Sequence, residues 1–229
     1  MRYINMVRGI FYQRLNRFVA EVYIDGQKEK VHVKNTGRLK ELLIQNVEVL
    51  LEESNDPNRK TKYSLIAVKK GERWVNIDSQ APNTVAYEAI LDGKIAEIGT
   101  VQKLKKEVKY GDSRFDLYFE TQEERGFIEV KGVTLEKDGV AVFPDAPTSR
   151  GTKHVLELVK AVEEGYKGII LFIIQMEGCR LFVPNHETDP SFSNALRQAS
   201  KQGVQILAYE TSVSEQCMVI SNRIPVELI

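Results

Sequence analysis

Three residues in two successive segments of the chain have the types and spacing for metal-dependent chemistry. Asp116 interrupts an otherwise apolar strand-like segment, and Glu129 and Lys131 stand two residues apart in the next one. Side chains alternate along a strand, so Glu129 and Lys131 face one side while Val130 faces the core. A short loop joins the two segments, which predicts an antiparallel pair with Asp116 close to Glu129.

This grouping suits phosphodiester hydrolysis. Two carboxylates and a backbone carbonyl are the hard oxygen ligands that Mg²⁺ or Mn²⁺ prefers. A neighbouring lysine can orient or deprotonate an attacking water, or stabilise the charge on a pentavalent phosphate. The alternative is two solvated ion pairs, Glu129 with Lys131 and Arg114 with Asp116.

A second candidate is the proline-bordered loop that leads into a predicted helix at residues 149–164. Arg150, Lys153 and His154 occupy the first turn of this helix. Cations there oppose the helix dipole, so we expect an anion at the helix N-terminus, where free N–H groups and basic side chains converge. The alternative is that Arg150 pairs with Asp145 or with another acidic loop residue.

Two basic clusters lie near the N-terminus. The first spans residues 34–40 and includes Asn35, Thr36 and Arg38, with Gly37 permitting a tight turn near a phosphate. The second contains Arg59, Lys60 and Lys62 next to Tyr63. Cations beside a ring that can stack are typical of nucleic-acid-binding surfaces. A solvated charged loop is the alternative, chiefly for the second cluster.

The formal net charge of zero conceals an uneven distribution. Residues 1–80 carry 15 basic and 10 acidic side chains, whereas residues 81–229 carry 17 and 22. A neutral total therefore does not exclude a nucleic-acid partner.

Other classes are disfavoured. The longest apolar run, residues 169–174, is far shorter than the roughly 18 residues of a membrane span, and the N-terminus lacks the apolar stretch of a signal peptide. Cys179 and Cys217 are distant from one another, and the three histidines have no zinc-ligand spacing. We expect a cytoplasmic protein without membrane, disulfide or zinc, and with two buried thiols.

The elements that must position these residues form two groups. Residues 1–80 predict about five short strands, at 18–24, 29–33, 47–51, 63–68 and 74–77, with helix only near 39–43. This count favours a small barrel of OB type, although SH3-like barrels have a similar pattern. Residues 81–229 predict a short helix, four strands, and then two helices alternating with buried strands, hence a mixed sheet flanked by helices.

The motifs in their order along the chain resemble those of the sugar fermentation stimulation protein (SfsA) family, over nearly the whole chain. The matching strings are Asn35-Thr36-Gly37-Arg38, Arg59-Lys60-Thr61-Lys62-Tyr63, Pro82-Asn83, Glu107-Val108-Lys109-Tyr110-Gly111, Ser113-Arg114-Phe115-Asp116, Glu129-Val130-Lys131-Gly132-Val133-Thr134-Leu135, Phe143-Pro144-Asp145-Ala146-Pro147-Thr148 and Arg150-Gly151-Thr152-Lys153-His154.

The resemblance implies an N-terminal OB-fold domain (1–80) followed by a PD-(D/E)XK nuclease-like domain (81–229). It also implies roles for individual residues. Asp116, Glu129 and Glu88 would be metal-binding and catalytic, with the Val130 carbonyl as a further ligand and Lys131 as the catalytic lysine. Arg114, Arg150 and Lys153 would bind DNA or phosphate with the two basic clusters, and His154 and Gln175 would be accessory.

The family resemblance further implies DNA binding, a link to the regulation of sugar metabolism, and nuclease activity inferred from the fold. The family usually has other residues where this chain has Val33-Lys34, Gln45-Asn46 and Gly132, but none of these departures removes a metal ligand. Two hypotheses follow: a Mg²⁺- or Mn²⁺-dependent nuclease, or a non-catalytic DNA-binding regulator that keeps the nuclease scaffold. No residue excludes RNA as the partner.

Overall fold

The computed structural model describes residues 1–228. The N-terminal part is a closed barrel, in which adjacent strands pair antiparallel except where β3 and β5 close the barrel in parallel at His32–Ser64 and Val33–Leu65. Around the barrel the order is β1-β2-β3-β5-β4, and β6 extends the sheet beside β5. The strands are β1 (Met6–Arg14), β2 (Val19–Ile24), β3 (Gln27–Val33), β4 (Glu48–Glu53), β5 (Tyr63–Lys70) and β6 (Arg73–Asn76).

The OB-type barrel is confirmed, and two local predictions are corrected. Strand β1 was not predicted from the sequence, because its polar residues hide the alternation of apolar side chains. The helix expected near residues 39–43 is absent, because Leu39 has a positive φ of 51° and the segment turns there. A left-handed residue breaks the helical hydrogen-bond ladder. Leu39 and Leu42 nevertheless point inward and help to fill the barrel.

The second part is built on a six-stranded mixed sheet. Its strands in spatial order are β15 (Met218–Arg223), β14 (Gln205–Val213), β12 (Lys167–Ile174), β9 (Arg125–Val133), β8 (Ser113–Glu120) and β7 (Lys103–Tyr110). A small sheet of β10 (Leu135–Lys137), β11 (Val140–Phe143) and β13 (Leu181–Pro184) lies beside it. The short strands β10, β13 and β15 were not predicted.

Helices cover both faces of the large sheet, as the sequence predicted. Helix α1 (Ala81–Leu91) packs on one face, and α2 (Ser149–Glu163) and α3 (Pro190–Lys201) pack on the other. The central strand β12 is apolar from Ile169 to Ile174, because its odd residues there lie under α1 and its even residues under α2 and α3.

The two parts are joined by a buried junction as well as by the chain. Gln175 at the end of β12 donates from Nε2 to the Asn76 carbonyl at 3.0 Å and to the Asp78 carbonyl at 3.3 Å. At the opposite side, Arg2 forms a β-bridge with Cys217 of the second part. The N-terminal residues therefore contribute to both parts of the molecule.

An ion-pair cluster also fixes the barrel against the second part. The carboxylate of Glu136, whose side chain is only 7% exposed, accepts from Lys70 Nζ at 2.6 Å and Arg73 Nη2 at 2.5 Å. Burial opposes ionisation of Glu136, but Lys70, the Gly139 N–H and Arg73 together lower its pKa below the usual range.

Both cysteines are free, and Cys217 is half-buried rather than buried. In residues 1–228, no helix has the length and apolarity needed to span a bilayer.

Replacing Glu136 with alanine should destabilise the protein by about 3 kcal/mol at neutral pH, since two cations lose their buried partner. Urea unfolding would measure the effect. The lowered pKa means that the Glu136 contribution is complete above the pKa of an unfolded glutamate, about 4.3. The difference from wild type should therefore shrink as the pH falls through the folded-state pKa.

The control is Glu123→Ala, which removes an exposed loop carboxylate and should leave stability within about 0.5 kcal/mol of wild type. An equally small effect of Glu136→Ala would show that the cluster does not hold the two parts together.

Candidate metal and nucleic-acid site

The site begins where β8 and β9 part. Their antiparallel pairing, predicted from the sequence, runs as far as Leu117–Ile128. Beyond that point Phe115 packs toward α2, whereas Leu117 lies under α1, so the alternation of β8 changes at Asp116. The Asp116 carboxylate spans the resulting gap, and its Oδ2 accepts the Val130 N–H at 2.8 Å.

Helix α1 provides the second partner of Asp116. The helix begins after Gln80, and from its first turn Asn83 Nδ2 donates to Asp116 Oδ1 at 2.8 Å. Burial, followed by repulsion from Glu129, raises the pKa of Asp116 despite these hydrogen bonds. The two carboxylates therefore interact, and ionising both has an electrostatic cost.

Glu129 is 2% exposed and has two basic partners on one oxygen. Its Oε1 accepts from Lys131 Nζ at 2.5 Å and also contacts His154 Nδ1. Burial would raise the pKa of Glu129, but the His154 hydrogen bond and the Lys131 ammonium outweigh it, and the pKa is lowered. Within the described chain, the other oxygen, Oε2, is buried without a hydrogen-bond partner.

These donors fit a hard divalent cation. A buried carboxylate oxygen without a partner is costly, and a cation would satisfy it while relieving the repulsion from Asp116. In residues 1–228 there is no group of three or more acidic, histidine or cysteine side chains arranged to hold a metal. A two-carboxylate set suits Mg²⁺, which usually retains several waters.

Glu88 is not brought to this group, contrary to the expectation from the resemblance. It is exposed and pairs with the amino terminus of Met1, which also donates to the Met218 carbonyl on β15. Strand β15 is separated from β9 by β14 and β12. Because α1 crosses the sheet, Asn83 at its start reaches the site, and Glu88 lies toward the far edge.

The N-terminus of α2 differs in part from its prediction. The Thr148 side chain caps the helix by accepting the Gly151 N–H at 3.0 Å, so one of the free donors is already satisfied. Lys153 Nζ donates to the Asp112 carbonyl at 3.3 Å. Arg150 is exposed and makes no ion pair in the described residues, so pairing with Asp145 does not account for it.

Gln175 lies in the junction and not among the carboxylates. It lines an interdomain cleft of about 390 Å³ together with Thr36, Gly37, Gly132 and the loop before α2. A Cβ added to Gly132 would lie 2.5 Å from Gln175 Oε1, which shows how closely the end of β9 approaches the junction.

The first basic cluster is ordered by Arg14, which was not among the predicted site residues. Arg14 donates to the carbonyls of Asn35 at 2.7 Å and of Gly37 at 2.6 Å, and burial lowers its pKa. The Asn35 side chain is also structural, accepting the Gly37 N–H and donating to the Ile77 carbonyl. Thr36 lies in the cleft and Arg38 projects to solvent.

The second basic cluster is part of the loop between β4 and β5 and lies outside the interdomain cleft. Arg59 Nη2 donates to Ser64 Oγ at 3.0 Å, and Lys62 pairs with Glu53 at 2.9 Å while lying over the Tyr63 ring. Lys60 lines a shallow surface depression. Two of the three side chains predicted to bind nucleic acid, Arg59 and Lys62, therefore already have partners within the barrel.

Lysines of the edge strand β7 are site neighbours that the sequence analysis missed. Glu107 has a positive φ of 55°, and this irregularity re-aims the strand. Lys106 lies over the Tyr87 ring of α1 at 4.2 Å, and beyond the irregularity Val108 packs toward α2. Lys109 alternates with Val108 and so faces the α1 side, as Lys106 does. The consecutive Lys105-Lys106 pair, which breaks the strand alternation, was the available signal.

On the same hairpin, Arg114 is exposed and lies 3.9 Å from Glu107.

Comparison with known proteins agrees with both parts of the fold. The model of the SfsA N-terminal OB domain matches residues 13–77, and the model described as the sugar fermentation stimulation protein RE domain matches residues 80–217. The sugar fermentation stimulation protein homolog of Alkaliphilus oremlandii is 56% identical over 232 residues, covering 99% of each chain. The homolog of Desulfitobacterium hafniense strain Y51 is 49% identical over 229 residues, covering 100% of this chain and 99% of its own.

A solved structure of Pyrococcus furiosus SfsA in complex with Ca²⁺ superposes with a TM-score of 0.88 at 28% identity, covering 99% of this chain and 98% of the other. The matched domains, the identity of the relatives and the shared fold together show that this chain belongs to the sugar fermentation stimulation protein family.

Proposed function

We propose that this protein is a nucleic-acid-binding hydrolase that cleaves phosphodiester bonds, with DNA as the first substrate to test and RNA as the second. The observation that carries the proposal is the pair of half-buried Asp116 and buried Glu129, with one unpartnered oxygen on Glu129 and an ammonium beside it. The structure of Pyrococcus furiosus SfsA is a complex with Ca²⁺, which supports a divalent cation in the family.

In this proposal Asp116 and Glu129 hold the cation, with the Val130 carbonyl as a further candidate ligand. Asn83 and the Val130 N–H fix the orientation of the Asp116 carboxylate. His154 holds Glu129 from the α2 side through Oε1, so Oε2 would be free to bind the cation. Such outer contacts commonly set the geometry and basicity of metal ligands.

A bound Mg²⁺ or Mn²⁺ supplies Lewis-acid stabilisation of the phosphoryl oxygens and a lowered pKa for attacking water. Lys131 contributes the positive charge of its ammonium, which is held at Glu129 and is 17% exposed. From there it can orient a water or stabilise negative charge on the phosphate.

Charges around the site are suited to the polyanion. Lys106, Lys109, Arg114 and Arg150 are exposed on elements that border Asp116 or the start of α2. On the barrel, the exposed Arg17 lines the interdomain cleft, and the exposed Arg38 lines the cavity that adjoins it. Phosphate contacts of this kind position a nucleic acid without reading its sequence. Any link to sugar metabolism would act through the nucleic acid that is bound or cleaved.

Divalent cations should stabilise the folded protein through these two carboxylates. With the ion about 100-fold above its Kd, mass action gives about 2.7 kcal/mol, or a Tm increase of roughly 5–10 °C for a chain of this size. Differential scanning fluorimetry with Mg²⁺, Mn²⁺, Ca²⁺ or EDTA would measure it. Asp116→Asn should lose the response, because the amide removes the negative charge that holds the cation.

Asp92→Asn is the matched control, since Asp92 is an exposed carboxylate just after α1. It should retain the full metal-dependent shift. A shift that persists in Asp116→Asn would locate the cation elsewhere.

Phosphodiester cleavage should depend on the same residues. With labelled single- and double-stranded DNA and RNA and Mg²⁺ or Mn²⁺, Asp116→Asn and Lys131→Met should each reduce the initial cleavage rate by about 100-fold or more. Asp92→Asn should cleave as wild type does. Metal-dependent products that persist in both site variants would contradict the proposed site. Metal-dependent stabilisation and tight binding without products would instead favour the non-catalytic regulator.

Asn83→Ala should weaken metal affinity or the cleavage rate by about 10- to 100-fold, the usual effect of removing a hydrogen-bond partner of a metal ligand. Isothermal titration with Mn²⁺ would separate affinity from turnover. An unchanged Kd together with an unchanged rate would show that Asn83 does not orient Asp116.

A further inference from the structure

The barrel carries a cavity that the hydrolytic site does not use. It has a volume of about 660 Å³ and lies beside the segment Asn35–Arg38, on the side away from Gln175. Tyr12 and Leu43 contribute apolar surface, and Arg17, Arg38 and Lys40 contribute positive charge. Among the described residues, no acidic side chain lines the cavity, although the barrel contains many glutamates.

The three cations at the cavity are available to a ligand. Within residues 1–228, Arg17, Arg38 and Lys40 form no ion pair, and all three are exposed. Arg14, by contrast, is engaged with the backbone carbonyls of the segment Asn35–Arg38 and serves to hold it in place. The cavity therefore has a fixed wall and a set of uncompensated positive charges.

The occupant implied by this chemistry has a flat apolar body and an anionic group. Mostly apolar walls with a few convergent charged groups are typical of ligand sites in this range of volumes. A nucleobase with its phosphate meets both requirements, because the base can lie against Tyr12 and Leu43 while the phosphate pairs with the arginines. Paired bases are stacked inside a duplex and cannot enter such a cavity.

The cavity also connects to the candidate site. Arg17, Thr36 and Gly37 line both this cavity and the interdomain cleft. The cleft in turn reaches Gly132, the residue after Lys131. A strand that leaves the cavity around the segment Asn35–Arg38 would thus enter the cleft that Gly132 lines, one residue along the chain from Lys131.

We propose that this cavity binds a nucleotide with an unpaired base, and that the protein consequently acts on single-stranded nucleic acid. The inference rests on the proposed function and specifies its substrate class. The ligand, a base with a phosphate, could be either one unit within a nucleic-acid strand or a free mononucleotide.

The test compares binding of fluorescent strands of about 15 nucleotides, a length within the range that barrels of this type cover. Oligo-dT, an abasic strand of the same length and a duplex are titrated by anisotropy against the full-length protein in EDTA. We expect oligo-dT to bind about tenfold or more tightly than the abasic strand, since base contacts are lost. The duplex should also bind more weakly than oligo-dT. Equal affinities for oligo-dT and the abasic strand, or a preference for the duplex, would overturn the proposal.

Variants locate the binding. The double variant Arg17→Ala/Arg38→Ala should weaken oligo-dT binding about tenfold or more and reduce the slope of log K against log salt by about 0.7 for each lost phosphate contact. The control is Lys201→Ala, a surface cation at the end of α3. If Lys201→Ala weakened oligo-dT binding and the double variant did not, the strand would bind elsewhere on the protein.

Competition with dTMP distinguishes the two sources. Displacement of oligo-dT at micromolar dTMP supports a site for free nucleotides, and resistance to millimolar dTMP supports a unit within the strand. The cleavage assay separates this inference from the proposed function. If wild type cleaves duplex DNA in an Asp116-dependent way, but binds oligo-dT and the abasic strand with equal affinity, the proposed function stands and the nucleotide site in the cavity does not.

Discussion

The candidate site depends on the hydrogen bond between the Asp116 carboxylate and the Val130 N–H, formed where β8 and β9 separate. Strands in a sheet normally satisfy one another's backbone groups, so a strand that leaves its neighbour exposes N–H groups that need another acceptor. Here an aspartate supplies it, and the same bond fixes a carboxylate in a gap of the sheet. The Asp116 side chain thus accepts a backbone N–H that the sheet leaves unpaired and is also a candidate metal ligand.

The electrostatics of the site follow from that placement. Burial and then the nearby Glu129 raise the pKa of Asp116, whereas hydrogen bonds and charge from His154 and Lys131 lower the pKa of Glu129. Without a cation the site therefore holds two neighbouring acidic groups, one half-buried and one buried, and the buried one has an unsatisfied oxygen. Such strain at one position is typical of functional sites, where stability is lost in exchange for a prepared binding geometry.

The junction between the two parts extends this site toward the barrel. Gln175 ties the end of β12 to the linker, and Glu136 ties β10 to the hairpin of β5 and β6. Between the two parts lies the cleft, which is lined by Thr36 and Gly37 of the barrel and by Gly132, the residue after Lys131. In the proposed function, a strand held by the barrel would then reach the carboxylates carried by the sheet.

The sequence by itself determined the two-part architecture, most of the strands, and the grouping of Asp116, Glu129 and Lys131. These depend on local alternation, turn residues and short-range pairing, which a single sequence displays. Where the alternation of polar and apolar residues was absent or broken, as in β1 and at Lys106, the sequence did not reveal the strand or the position of the side chain. The family resemblance predicted Glu88 as a ligand, yet helix position alone could not reveal that α1 crosses the sheet and brings Asn83 to the site.

Only the tertiary structure decided which long-range contacts complete the site. His154 reaches Glu129 across 25 residues, and Arg14 orders a loop 21 or more residues away. Whether a cation is free or engaged also depends on neighbours distant in sequence, as the pairing of Lys62 and the unpaired state of Arg38 among the described residues illustrate. Local patterns specify backbone elements, but the packing of those elements selects side-chain partners, and these partners determine charge, burial and availability to a ligand.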